Sequence, residues 1–85
     1  MLVSLYSGVS TWVMVPGTAR PPSAASRCGS LILEAIVPSA LIPEAVRDRL
    51  NKEIRAKGFC HASEDIGITL LDECLARYGT LVVPA

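Results

Sequence analysis

Cys60 and His61 stand side by side and are the one pair in the chain from which an active-site argument could start. A cysteine becomes a nucleophile when a base in hydrogen-bond contact takes its proton and a third group orients that base. Neighbouring residues rarely reach that geometry. A helix beginning a few residues further on would lower the thiol pKa, while the end of the preceding helix would oppose it. The pair reads as a loop thiol beside a capping or surface imidazole. A metal site assembled from Cys60, His61 and Cys74 matches no pattern of paired zinc ligands. Cys74 also falls on an apolar helical face, where a free cysteine behaves as a small hydrophobe. Glu64-Asp65 and Asp72-Glu73 are adjacent carboxylates, and adjacent residues on a helix do not share a face. The sequence has no glycine-rich phosphate loop, Walker sequence or GxSxG elbow. The expectation is a protein that is not an enzyme and needs no cofactor or metal.

The elements around these residues follow from local pattern. Pro43 to Lys57 predicts a helix: proline suits its first turn, Glu44 its positive end, and Arg55 and Lys57 its negative end. Gly58 stops it, with Phe59 as the apolar residue after the stop. Its apolar stripe is thin, consisting of Val46, Leu50 and Ile54. Glu64 to Tyr78 predicts a second helix, capped by Ser63 and ended by Gly79. Ile66, Leu70, Leu71, Cys74, Leu75 and Tyr78 spread over about half its circumference at ~100° per residue. That width marks it as the helix packed most deeply on a sheet. Gly67 lies on that face at a helix-propensity cost of about 1 kcal/mol relative to alanine, so another backbone is expected close by.

Strands are expected on either side. Met1–Tyr6 and Thr11–Val15 read as a hairpin around Ser7-Gly-Val-Ser10, and Leu31–Val37 as a buried strand interrupted by Glu34. Thr80–Val83 reads as a last strand before Pro84. Residues 16–30, rich in Pro, Gly, Ser and Ala, are expected to form a flexible surface loop, with Arg20-Pro21-Pro22 able to hold a short polyproline II stretch. Arg20, Cys60 and His61 are therefore the loop residues with any functional promise. The expected fold is a single α+β domain over residues 1–85, ordered β-β-β-α-α-β, with an antiparallel pair of helices on one face of a small sheet. No internal repeat is present.

Composition narrows the function. Eighty-five residues make one small domain, and 51% hydrophobic against 19% charged residues excludes intrinsic disorder for most of the chain. Eight basic residues balance eight acidic ones, which removes the simplest argument for a nucleic-acid partner. No run of about 18 apolar residues suggests a membrane span, and the N-terminus lacks the positive start of a signal peptide. Three cysteines, an odd number outside any CxxC pair, fit reduced thiols. A cytoplasmic protein is expected.

Nineteen residues pass before the first charge, at Arg20. Neither strand of the hairpin alternates apolar with strongly polar side chains, so both of its faces should be covered. An uncharged hairpin edge is a template for pairing with other chains. The sequence therefore points to a protein-binding module, a small regulator or inhibitor that docks on a protein partner or on itself. A homodimer is expected, with Tyr6, Trp12 and Met14 at its interface and Trp12 as the anchor. The weaker alternative is a small dimeric DNA-binding regulator of the antitoxin-like kind.

Overall fold

Residues 2–9, 11–17, 20–21 and 30–83 are described by the computed structural model. The uncharged N-terminus folds back on itself as β1 (Leu2–Ser7) and β2 (Trp12–Pro16), paired antiparallel from Val3 opposite Pro16 to Ser7 opposite Trp12. Valine-rich, charge-free sequence of this kind belongs inside a sheet. Here it takes the two central positions. β3 (Ile32–Pro38) flanks β1, and β4 (Cys60–Ala62) flanks β2, giving the antiparallel order β3-β1-β2-β4. A 3₁₀ turn at Ser39–Leu41 leads into α1 (Glu44–Lys57), and α2 (Glu64–Tyr78) follows β4.

The α+β class and both helices are as expected, and the helix ends match their signals. Ser63 Oγ accepts from Ile66 N at 3.3 Å, while Gly58 and Gly79 adopt left-handed φ values of 87° and 67°. The fourth strand comes from a different place. Residues 60–62, expected to be a plain connection between helices, pair with β2, with Val13 opposite His61 and Met14 opposite Cys60. Residues 80–83, expected to be a strand, supply one parallel bridge, Ile36 with Val82. Ile36 N donates to Leu81 O at 2.8 Å, and Val83 N donates to Ile36 O at 3.0 Å. The Thr80 hydroxyl accepts from Val82 N at 3.2 Å, a local bond that competes with strand extension.

Both faces of the sheet hold buried side chains. On the helix side Val3, Leu5, Met14, Ala35, Val37 and Cys60 join Ile42, Leu50, Leu70 and Cys74 in the main core. Each fully buried leucine there contributes ~1.5–3 kcal/mol of transfer free energy. On the opposite face Val13, Val15 and Phe59 form a second cluster, with Tyr6 and Leu31 packed against it. Pairing between β1 and β3 slips at a bulge after Leu5. Glu34, the polar interruption in β3, is half-buried, and its Oε1 accepts from Ser7 Oγ at 2.8 Å.

Candidate interaction surface

β4 decides what Cys60 and His61 can do. Alternation along a strand sends neighbours to opposite faces. Cys60 enters the main core and is 1% exposed, whereas His61 sits on the other face, edge-on to Phe59 with ring centroids 5.2 Å apart. His61 Nδ1 lies 2.9 Å from Thr11 Oγ1. The Cys60 thiol donates to the His61 carbonyl at 3.3 Å, not to the ring. Burial pushes its pKa above the ordinary thiol value, and the neighbouring Arg49 guanidinium offsets only part of that. A thiol held neutral and enclosed is a poor nucleophile. Cys74 is likewise buried, with its pKa raised by desolvation, and its thiol donates to Thr80 O at 3.0 Å. Among the described residues no three of His, Cys, Asp and Glu are gathered as metal ligands.

The charged residues nearby have structural partners. Arg49 Nη2 donates to the His61 carbonyl at 2.7 Å, tying α1 to the outermost strand. Lys57 Nζ meets Glu53 Oε2 at 2.7 Å, which holds the Glu53 carboxyl below its usual pKa, and lies 5.7 Å from the centre of the Phe59 ring. An open space of about 490 Å³ lies at the hairpin turn, lined by Ser7, Thr11, Trp12, Ser63 and Glu64 among others. Hydroxyls, one carboxylate and an indole wall give it no catalytic pair.

The residues expected at an intermolecular interface are placed differently. Met14 is fully buried in the main core and offers nothing to a partner. Trp12 is half-buried, and its indole lies against Gly67 of α2: a Cβ at Gly67 would come within about 2.5 Å of the ring. Trp12 thus has a packing partner within its own chain. The close neighbour inferred for Gly67 is this ring and not a backbone. Tyr6 packs on the second cluster and is half-buried. The hairpin is internal to the sheet, so its edges are filled by β3 and β4. Arg20 is exposed. Most of the loop expected at 16–30, with Cys28, lies outside the described residues.

Exposed apolar surface appears elsewhere, on α2. The wide stripe legible in its sequence divides in two. Gly67, Leu70 and Cys74 are buried on the sheet. Ile68, Leu75 and Tyr78 stay 45%, 48% and 47% exposed, and Leu71 between them is half-buried. Positions 68, 71, 75 and 78 follow the i, i+3, i+7, i+10 spacing of a helix-pairing seam. Register places Ile32 opposite Ser7, at the end of β3 and on the face that carries Trp12, where it is 64% exposed. The polar border of the seam is acidic: Glu64, Asp65 and Asp72 are all exposed. The single base of the helix, Arg77, pairs with Glu73 at 3.2 Å, about half the circumference away from Ile68. On that other flank, an open cleft of about 420 Å³ runs between the 3₁₀ turn and α2, floored by Leu41, Ile66 and Leu70.

Among the described residues no helix is long and apolar enough to cross a membrane. Comparison with family models, curated proteins and solved structures finds no match to this chain.

Proposed function

We propose that the chain is a non-enzymatic protein-binding module, a small regulator or inhibitor that acts by docking through the outward side of α2. One observation carries this: Ile68, Leu71, Leu75 and Tyr78 lie in line at helix-pairing spacing, and three of the four remain about half exposed. A helix that already fills the core with one set of side chains has no folding need for a second set in water. Contiguous exposed apolar surface with a polar border marks interaction sites. The absence of catalysis is supported by the opposed placement of Cys60 and His61 and by the neutral, enclosed thiol. A nucleic-acid surface is disfavoured because eight basic residues are balanced by eight acidic ones, and on α1 five bases are interleaved with three acids.

The test compares wild type with Leu75→Glu. At a half-exposed position the substitution should change unfolding free energy by no more than about 1 kcal/mol. Binding, followed by recovery of co-purifying protein and by sedimentation for self-association, should be lost in the variant. Complexes that survive Leu75→Glu intact would remove α2 as the docking element.

A further inference from the structure

Resting on that docking role, we infer the partner's chemistry: the outer seam of α2 receives an amphipathic helix of another protein whose apolar stripe is bordered by lysine or arginine. The spacing argues for a helix. Side chains at i, i+3, i+7 and i+10 leave holes that the knobs of a second helix fill at a crossing near 20°. From Ile68 to Tyr78 the seam is about 15 Å long at ~1.5 Å per residue, a match for two to three helical turns of partner.

Charge selects among helices. Asp65 and Asp72 stand seven residues apart along the solvent border of the seam, and Glu64 continues its line four residues before Ile68. All three are exposed, and α2 places no lysine or arginine beside them. A basic border on the incoming helix would neutralise these carboxylates, while an acidic one would be repelled. The same charges argue against a second copy of α2 as the occupant. An antiparallel pair of copies about a two-fold axis would bring Asp72 and Asp65 of each onto one shared border, a like-charge arrangement that destabilises pairing. The exposed apolar surface is small beside the ~800 Å² per partner of a standard interface, so the complex belongs in the weak, reversible class.

The experiment uses the full chain, isotopically labelled, and two synthetic 18-residue helical peptides. Both carry leucines at the seam spacing on an alanine background; one has lysine at the flanking positions, the other glutamate. Amide shifts map the site, and fluorescence anisotropy at low and at raised salt gives affinities. The lysine peptide should shift amides of residues 64–78 and bind at least tenfold more tightly than the glutamate peptide. Added salt should shrink that advantage. Asp72→Lys should reduce or invert the preference, and Asp72→Asn should reduce it by less. Circular dichroism of both variants should match wild type. Equal binding of the two peptides at α2, abolished by Leu75→Glu, would overturn the basic partner and leave the docking role standing. No shift at α2 with either peptide would overturn both. A concentration-dependent dimer whose contacts lie on 68, 71, 75 and 78 would give the seam to a second copy and overturn the inference.

Discussion

The two helices rest on one sheet, yet they meet water in opposite ways. α1 carries five basic and three acidic residues, and its apolar positions number little more than the core requires. Leu50 is buried, Val46 and Ile54 are packed against the core, and its remaining surface is charged, with Lys57 paired to Glu53 and Arg49 bonded to β4. α2 carries four acidic residues and one basic residue, all on a helix with twice the apolar face. Gly67, Leu70 and Cys74 go inward, and Ile68, Leu75 and Tyr78 go outward. Similar length and the same left-handed glycine stop therefore say nothing about role. What separates the helices is apolar surface in excess of what the sheet can cover, and only α2 has it.

The largest test of this contrast strikes the inner seam. Gly67→Leu should destabilise by about 3 kcal/mol, the upper end of what overpacking usually costs, because the indole of Trp12 occupies the space a side chain needs. Gly67→Ala sharpens the point. Helix propensity alone would favour alanine by about 1 kcal/mol, yet its Cβ would sit about 2.5 Å from the ring, so a net loss is expected. Urea denaturation of both variants, alone and with Trp12→Phe, checks this. An alanine variant as stable as wild type would show that the Trp12–Gly67 contact yields easily, and that the inner seam is not the constrained one.

Much of this division was only half legible in the sequence. The helix ends were readable because serine caps and left-handed glycines act through backbone chemistry within a few residues. The width of the α2 stripe was readable too. Which part of that stripe faces the sheet was not, since Leu70 and Leu75 are the same residue type and only long-range packing distinguishes them. Ile68 gave no signal by itself, although its spacing to Leu71, Leu75 and Tyr78 contained one. The central place of the hairpin was hidden for a related reason. An uncharged strand has no room for water on either face or edge, which fits a sheet interior as well as an interface between chains. Three residues at Cys60–Ala62 are too few for alternation to announce a strand, and their pairing depends on β2, nearly fifty positions away.

A second prediction uses the buried thiols. Cys60 has its pKa raised in the folded chain, chiefly by desolvation, so above the ordinary thiol range the folded state keeps a proton that the unfolded state has lost. The contribution to stability is complete below about pH 8 and declines as pH rises past about 8.5. For one thiol the decline approaches about 1.4 kcal/mol per pH unit where only the unfolded form is ionised. Cys74 acts in the same direction. Unfolding free energy measured from pH 7.5 to 10 should fall less steeply in Cys60→Ala than in wild type, whatever the variant loses in packing. Parallel curves would place the thiol in an environment far wetter than the core that α1 and α2 close over it.

The smallest expected effect concerns how α1 guards the sheet. β4 is an edge strand of only three residues, and Arg49 of α1 reaches over to it, donating to the His61 carbonyl at 2.7 Å. The other edge, β3, is closed in part by the backbone of Leu81 and Val83. An exposed carbonyl on an edge strand invites pairing with another chain, and natural proteins cover such edges. Arg49→Ala removes one charge-assisted hydrogen bond at a solvent-exposed site, so the loss in stability should be about 1 kcal/mol or less. Lysine at this position has a single ammonium and less reach to hold the same carbonyl, so Arg49→Lys should recover only part of it. The more telling readout is colloidal. If Arg49 covers the β4 edge, Arg49→Ala should raise the aggregation rate at high protein concentration, while Arg55→Ala on the same helix leaves it unchanged. Equal behaviour of the two variants would make the Arg49 bond incidental. The contrast between a helix that seals the sheet and a helix that offers a surface would then rest on α2 alone.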